Sequence, residues 1–305
     1  MNALQTVRFR GVFTALVTPF RDGAIDLEAF DRLVERQLEA GVAGLVPVGT
    51  TGEAATLTAE EADVLIRRTV ELAKGSAMII AGAGSNNTCD TIHRVRRAEA
   101  AGADGLLIVT PYYNKPTQKG LIEHYRWVCN STGLPVMLYS VPGRCGVEIA
   151  PETCAILRET CPNVVAIKEA GGSVARVTAI RRACGADFPI HSGDDALTLP
   201  FLAAGAVGVT SVVSNIAPKE TVAMVRAWQR GDRDLALRLH DELSELAEAL
   251  FVESNPAPVK AALAMAGLAS SQLRAPLTEL EPDNLDYLSG VISRFQQNPF
   301  FQEIR

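Results

Sequence analysis

Short apolar runs rich in valine, isoleucine and leucine recur along the first two thirds of the chain. Eight of them begin at Gly11, Gly44, Ala77, Gly105, Pro135, Val164, Phe188 and Ala206. The segments between them are amphipathic, and their starts fall about 28 residues apart, which is the length of one strand, one helix and two loops. The pattern therefore predicts alternating strands and helices and a parallel sheet.

Two of the intervening segments carry helix-boundary signals. Asp26 precedes apolar residues spaced at three and four, and Gly41 follows the last of them. Thr58 and Glu61 have the spacing of a capping box, in which each residue satisfies a free amide of the first turn. A helix is expected after each of these starts.

Eight strand–helix units in about 200 residues favour a closed (β/α)8 barrel. A doubly wound open sheet also alternates strands and helices, but it needs a switch point and usually has fewer strands. The barrel is expected to occupy residues 1–230. Beyond it, three amphipathic patterns predict a C-terminal helical region over residues 231–305, packed on the barrel or on a partner subunit.

The composition is that of an ordinary globular protein, with 305 residues, 48% hydrophobic residues and a formal net charge of −6. This negative net charge does not indicate the basic surface that binds nucleic acid. The N-terminal residues lack the apolar core of a secretory signal, and no apolar run is long enough to span a membrane. We expect a cytoplasmic protein without nucleic-acid or membrane partners.

Six cysteines are scattered without a C-x-x-C pair, so neither a zinc site nor a disulfide framework is indicated. They are expected to be reduced and mostly buried thiols. The four histidines show no metal-ligand spacing, and His191 is expected to be a structural hydrogen-bonding residue. The glycines of residues 82–87 do not complete a dinucleotide-binding fingerprint. No metal or other cofactor is expected.

Lys168 stands near the end of the apolar run "VVAIKE". An ammonium at the tip of a hydrophobic strand loses hydration unless it is paired, solvated or deprotonated. One interpretation is that the side chain extends past the sheet into water, as many strand-ending lysines do. The other is that Lys168 is an amine nucleophile, and only its surroundings can distinguish the two.

Five strand ends carry polar residues of a kind that could form a site. They are "GTTGE" (49–53), "TPYYNKP" (110–116), "YSVPGRCG" (139–146), Lys168 and "SGDD" (192–195). Each also has a purely structural explanation, such as glycines with positive φ, tyrosines packed on the rim or a helix cap. In a barrel, however, the carboxyl ends of the strands meet at one mouth, and together these residues favour an active site there.

The residue types suit Schiff-base chemistry. Backbone N–H groups of residues 49–53 can hold a small carboxylate, and a desolvated Lys168 amine can attack a ketone. The phenol of Tyr139 can move protons, and Arg144 can clamp a second carboxylate.

These residues resemble the pyruvate-dependent class I aldolases, the family that includes dihydrodipicolinate synthase and N-acetylneuraminate lyase. The resemblance covers nearly the whole chain. Its markers are "GTTGEAATL", "VTPYYNKPTQKGL", "LYSVPGRCG", "IKEAGG", "SGDD" and "FVESNPAPVKAAL". The threonine pair at 50 and 51, the segment "PYYNKP" and Arg144 are similar to the synthase branch.

The resemblance implies that Lys168 forms an imine with pyruvate. Tyr139, Thr50 and Tyr113 would form a proton relay in which Tyr113 enters the site of a neighbouring subunit. The assembly implied is a homotetramer.

The family also implies the residues that bind substrate. Thr51 would help to bind the pyruvate carboxylate, and Arg144 would hold the carboxylate of the second substrate. Gly193 and the carbonyl of Thr210 would line the pocket.

The activity implied is the condensation of pyruvate with L-aspartate-β-semialdehyde to 4-hydroxy-tetrahydrodipicolinate, in lysine biosynthesis. Ser140 stands where the synthase usually has asparagine, which leaves open another 2-keto-acid aldolase or a dehydratase of the family. A binding protein without catalysis is a further alternative. Ala59 and Ala62 replace the histidines of lysine-sensitive members, although Asn86 and Tyr112 match, so inhibition by lysine is not expected.

Overall fold

The eight predicted apolar runs each contain a strand of a closed parallel barrel. The computed structural model describes residues 9–302, so the expectation about the first residues of the chain lies outside the described residues. The strands are β1 (Gly11–Ala15), β2 (Gly44–Val46), β3 (Met78–Gly82), β4 (Gly105–Val109), β5 (Val136–Ser140), β6 (Val164–Glu169), β7 (Ile190–Ser192) and β8 (Gly208–Ser211). Each pairs with its neighbour in the sequence, and β1 also pairs with β8. The (β/α)8 barrel is confirmed and the open sheet is wrong.

Helices surround the barrel. They are α1 (Leu27–Ala40), α2 (Ala59–Ala73), α3 (Thr88–Ala100), α4 (Gln118–Cys129), α5 (Pro142–Cys145), α6 (Pro151–Thr160), α7 (Val174–Cys184), α8 (Thr198–Ala204) and α9 (Pro218–Gln229). The two predicted helix starts are confirmed, since the Asp26 carboxylate accepts a hydrogen bond from the Ala29 amide and Thr58 with Glu61 forms a capping box. Gly41 ends α1 with a φ of 74°, a conformation that glycine adopts without strain.

The C-terminal region is helical, as predicted. It comprises α10 (Arg233–Ala249), α11 (Ala257–Met265), α12 (Pro282–Gln297) and α13 (Pro299–Gln302). Buried residues of this region, such as Leu263, belong to the same hydrophobic cluster as Leu45 of the barrel. The region therefore packs on the barrel of its own chain, while the boundary at residue 230 stays a prediction.

Two layers of apolar side chains form the core. Alternate residues of a strand point to opposite faces, and Phe13, Ile80 and Met137 form a cluster distinct from the one under the helices. In β5 and β6, Met137 pairs with Ala166 and Tyr139 pairs with Lys168. Tyr139 and Lys168 are thus neighbours at the carboxyl end of the barrel.

Five cysteines are buried, Cys89 is exposed, and all six are free thiols, which confirms the expectation of mostly buried thiols. Over the range 9–302, no helix is long and apolar enough to cross a membrane. Over the same range, no group of three histidine, cysteine, aspartate or glutamate side chains could hold a metal ion.

Candidate active site

Lys168 is buried, because only 6% of the residue is exposed. Its Nζ lies over the Tyr139 ring, 4.4 Å from the ring centroid. Between residues 9 and 302, no carboxylate forms a salt bridge with this amine. The interpretation of a solvated strand-ending lysine is therefore wrong, and the amine faces a cavity.

That cavity, the inner cavity, has a volume of about 350 Å³. It is lined by six residues predicted for the site, namely Thr50, Thr51, Tyr139, Arg144, Lys168 and Gly193. The structure therefore brings together residues from the ends of four strands, as the barrel rule requires. The volume is sufficient for a small keto acid and a second small substrate.

A second cavity, the outer cavity, has a volume of about 510 Å³ and adjoins the first. Thr50, Tyr139 and Arg144 line both, whereas Tyr112 and Tyr113 line only the outer one. Two members of the predicted relay thus stand between the cavities, and the third lies on the outer side.

Tyr113 is the most exposed of the large hydrophobic residues described, at 89%. Its φ is 72°, in the left-handed region that a non-glycine residue occupies only with strain. Backbone strain of this kind persists only where the surrounding structure maintains it, and it clusters at functional sites. This geometry agrees with insertion into a neighbouring subunit, which stays a prediction.

The turn after β2 does not use its glycines for positive φ. Val48 and Glu53 have φ values of 58° and 53° instead. Gly52 is closely packed, since a Cβ there would lie 3.1 Å from the Leu16 carbonyl oxygen. The interpretation of these glycines as positive-φ residues is wrong.

Contacts from distant parts of the chain hold this turn. The Lys260 Nζ of α11 donates to Glu53 Oε1 at 2.5 Å, and the Arg274 amide donates to Glu53 Oε2 at 3.0 Å. Lys260 also donates to the Thr18 carbonyl, and the Thr18 hydroxyl donates to the Gly52 carbonyl at 2.8 Å. Burial lowers the pKa of Lys260, and the Glu53 carboxylate opposes that shift. The C-terminal region therefore fixes the loop that carries Thr50 and Thr51.

Asn255 is a site residue that sequence reasoning missed. Its Nδ2 donates to the Thr51 hydroxyl at 3.0 Å, and its carbonyl oxygen accepts from Arg144 Nη2 at 3.1 Å. It lines both cavities. Asn255 lies within the marker "FVESNPAPVKAAL", so the signal was present but carried no assigned role.

Gly193 leaves space beside the lysine. A Cβ at this position would lie 2.6 Å from Ala170 Cβ and 3.0 Å from Lys168 Cε. Both distances are too short for a side chain to fit without displacing its neighbours. Glycine at this position therefore keeps the amine accessible.

Thr210 lines neither cavity. It is buried in β8, and its hydroxyl lies 3.2 Å from His191 Nδ1. Burial lowers the pKa of His191 to about 4, and its Nε2 lies 3.4 Å from the Phe9 carbonyl oxygen. His191 is therefore a structural hydrogen-bonding residue, as predicted, while the role of the Thr210 carbonyl stays a prediction.

The aspartates of "SGDD" act in local structure. Asp194 accepts from the Ala196 amide at the start of a single helical turn. Asp195 accepts from the Ser211 hydroxyl at 2.5 Å and from the Val212 amide at 2.8 Å, and burial raises its pKa. The capping interpretation is therefore confirmed for Asp194, although that residue also lines the inner cavity.

Ser140 lies outside both cavities. It follows Tyr139 in β5 and so points to the other face of the strand, where its hydroxyl accepts from the Ile149 amide at 3.2 Å. The departure from the usual asparagine is therefore behind the strand rather than in the pocket.

Of the four positions compared with the lysine-sensitive members, one lines the outer cavity. Tyr112 lines that cavity, and the Asn86 carbonyl accepts from Asn114 Nδ2 at 2.8 Å. Ala59 is the first residue of α2, and Ala62 is partly buried. That lysine does not inhibit stays a prediction.

Known dihydrodipicolinate synthases are similar to this chain in both sequence and fold. The sequence profile of the Dihydrodipicolinate synthetase family matches residues 8–294. A 4-hydroxy-tetrahydrodipicolinate synthase from Nitratidesulfovibrio vulgaris is 47% identical over 94% of this chain and 98% of its own length.

Two solved structures are similar over nearly their whole length. One is the 4-hydroxy-tetrahydrodipicolinate synthase from the methanotroph Methylacidiphilum fumariolicum SolV, with a TM-score of 0.95, 48% identity, and coverage of 97% of this chain and 99% of that one. The other, described as a monomeric dihydrodipicolinate synthase variant, has a TM-score of 0.92, 43% identity, and coverage of 95% and 98%.

Proposed function

Because the chain belongs to the dihydrodipicolinate synthetase family, we propose that it is a lyase that condenses pyruvate with L-aspartate-β-semialdehyde. The product is 4-hydroxy-tetrahydrodipicolinate, an intermediate of lysine biosynthesis. The observation that carries the proposal is the buried Lys168 amine, which faces a cavity shared with Tyr139, Thr50 and Arg144. Relatives that carry the synthase name over 94% of this chain support the choice of reaction.

The first half of the reaction activates pyruvate. The Lys168 Nζ attacks the ketone carbon, and loss of water gives an imine, which acts as an electron sink. Loss of a methyl proton then gives an enamine. Thr51 and the N–H groups of its turn hold the pyruvate carboxylate, and Gly193 leaves room for the adduct.

The second half forms the carbon–carbon bond. The enamine carbon attacks the aldehyde of the semialdehyde, whose carboxylate binds Arg144 in a charge-assisted contact. The aldehyde oxygen takes up a proton and becomes the hydroxyl of the product. The amino group of the semialdehyde then attacks the imine carbon, which closes the ring and releases Lys168.

Protons reach these atoms through the relay. Tyr139 lies beside Lys168 and lines both cavities together with Thr50, so these two residues can pass protons between the inner and the outer side. Tyr113 of a neighbouring subunit completes the relay. The active unit is therefore at least a dimer in this proposal, supported by the exposed and strained Tyr113, and the family resemblance implies a homotetramer.

Borohydride reduction in the presence of pyruvate tests the chemistry. Reduction traps the imine as a secondary amine, so mass spectrometry should find one pyruvate-derived adduct per chain, on Lys168. Lys168→Ala should abolish the adduct, and Lys119→Ala, on the exposed face of α4, should retain it. An adduct on another lysine, or none, overturns the mechanism.

Turnover measurements test the second substrate. Wild-type enzyme with pyruvate and a panel of aldehydes should prefer aspartate semialdehyde. Turnover of a sugar acid without turnover of the semialdehyde would retain the Schiff base and refute the substrate.

A further inference from the structure

A third cavity lies at the opposite end of the barrel from Lys168. This basal cavity has a volume of about 550 Å³. It is lined by Gly11, the first residue of β1, and by Ala43 and Val207, each of which directly precedes a strand. These positions mark the amino-terminal face, whereas Lys168 is the last residue but one of β6. A ligand in the basal cavity would therefore not contact the substrates.

Three arginines line the basal cavity, namely Arg10, Arg226 and Arg233, and no aspartate or glutamate of residues 9–302 lines it. None of the three forms a salt bridge with a described carboxylate. By contrast, Arg68 pairs with Asp31 and Arg176 pairs with Glu169. The basal cavity thus collects uncompensated positive charge in a chain whose net charge is −6.

Neutral groups fix two of these guanidinium groups in place. Arg226 Nη2 donates to the Gly41 carbonyl at 2.9 Å. Arg233 Nη1 donates to the Trp228 carbonyl at 2.5 Å, and its guanidinium lies 3.6 Å from the centroid of the Trp228 ring. Carbonyl and indole partners restrict the side chains without cancelling their charge. The remaining N–H groups of these two guanidinium groups can therefore still donate to a bound anion.

Two carboxylates flank Arg233 in the sequence, those of Asp232 and Asp234, and neither residue lines the cavity. Asp232 precedes Arg233 but accepts from the Leu235 amide at 3.1 Å as the N-cap of α10, and it does not line the cavity. The rest of the wall is largely apolar, with Val12, Leu202 and Val222 among its residues. The site therefore combines an anion-binding subsite with an apolar one.

We propose that the basal cavity binds a small phosphate-bearing molecule. A guanidinium fork pairs with a carboxylate or a phosphate, but a phosphate monoester offers three terminal oxygens to several such groups, whereas a carboxylate offers two. The volume lies in the range of small-molecule sites and exceeds what inorganic phosphate fills, so the ligand has an uncharged body that lies on the apolar wall.

Isothermal titration of the full-length protein, at one fixed ionic strength, tests the proposal with phenyl phosphate and pyrophosphate as probes. Phenyl phosphate offers one phosphate and an apolar body. Wild-type protein should bind it, and Arg226→Gln and Arg233→Gln should each weaken binding at least about tenfold, since each removes a charged donor. Arg230→Gln is the matched control, because Arg230 lies between them in sequence and does not line the cavity.

A further variant guards against misfolding. Arg10→Gln removes a side chain without a hydrogen bond or ion pair to residues 9–302, so it should weaken binding without lowering the melting temperature. The proposal is overturned by a wild-type protein that binds neither probe at millimolar concentration, by citrate binding in preference to both, or by an equal loss in Arg230→Gln. Condensation activity should persist in all these variants, so the result is independent of the proposed function.

Discussion

Asn255 and Thr51 are joined by a hydrogen bond of 3.0 Å across 204 positions of the chain. The donor is the Asn255 side-chain amide, and the acceptor is the hydroxyl of the threonine assigned to the pyruvate carboxylate. The Asn255 carbonyl also accepts from Arg144. One residue therefore orients both groups that bind carboxylates in the proposed reaction.

Thr51→Val should weaken pyruvate binding, because valine has the shape of threonine but cannot accept from Asn255. A lost hydrogen bond is worth about 1 kcal/mol, so KM for pyruvate should rise about fivefold or more. Steady-state kinetics would measure this. Thr51→Ser keeps the hydroxyl and is the control, and equal effects of the two variants would contradict the assigned role.

Arg144→Ala should act on the second substrate only. A charge-assisted contact with a carboxylate is worth about 1.5–3 kcal/mol, so kcat/KM for aspartate semialdehyde should fall roughly tenfold to a hundredfold. Imine formation with pyruvate should survive, as judged by borohydride trapping. Arg96→Ala, on the exposed face of α3, should leave both unchanged. Loss of the pyruvate adduct in Arg144→Ala would refute this assignment.

Glu53→Gln should destabilise the fold strongly, because it leaves the Lys260 ammonium buried without its carboxylate. Breaking one partner of a buried pair typically costs about 3–5 kcal/mol. Adding Lys260→Met should recover part of this loss, which urea unfolding would show. Glu28→Gln, which breaks an exposed pair with Arg32, should change the free energy of unfolding by less than about 0.5 kcal/mol. An equally small effect of Glu53→Gln would be inconsistent with a clamped turn.

The stability of the protein should fall with acidification because of buried histidines. Burial lowers the pKa of His124 to about 4, from an ordinary value of 6.5. Above pH 6.5 both states are neutral, so the group has no effect. Between about 6.5 and 4 only the unfolded chain binds the proton, so the free energy of unfolding decreases by up to about 1.4 kcal/mol per pH unit. His191 contributes with the same sign.

Urea titrations at pH 7, 6 and 5 would measure this slope. His124→Gln should reduce it, since of these two buried histidines only His191 then remains to be protonated. His93→Gln, on the exposed face of α3, should leave it unchanged. An identical slope in wild-type protein and His124→Gln would exclude His124 as a source of the acid sensitivity.

Tyr113→Phe should lower kcat without preventing the pyruvate adduct, because it removes a relay hydroxyl and keeps the ring. Tyr113→Ala should additionally weaken assembly, since it removes the exposed ring. Sedimentation velocity and activity measured on the same samples would connect the two effects. A fully active monomeric wild-type enzyme would show that Tyr113 has no role in a neighbour's site.

The barrel and much of the site follow from local sequence. A strand buried on both faces is a continuous apolar run, and the rule that chemistry gathers at the carboxyl ends then places Thr50, Tyr139, Lys168 and Gly193 at one mouth. These inferences need only the order of elements. They do not need to know which distant side chains touch.

The contacts that support the site could not be inferred in this way. Asn255 reaches Thr51, and Lys260 reaches Glu53, from the C-terminal region. The hydrophobic pattern there predicts only amphipathic helix, and the family marker "FVESNPAPVKAAL" assigns neither residue a role. The left-handed φ values belong to Val48 and Glu53, whereas the sequence favours the glycines, because glycine is the usual residue for this conformation. Tertiary contacts overrule that preference here, since Lys260 and Arg274 hold the Glu53 carboxylate.

Two contacts, the pairing of β1 with β8 and that of Glu53 with Lys260, can form only after late parts of the chain have been synthesised. A ribosome delivers the amino terminus first, so β1 emerges long before its partner β8 has been translated. The turn that carries Thr50 and Thr51 is completed later still, once α11 supplies Lys260. A nascent chain released before that point therefore contains Lys168 but lacks the contacts that hold the turn. One that stops short of β8 also carries two unpaired strand edges for chaperones or proteases to recognise.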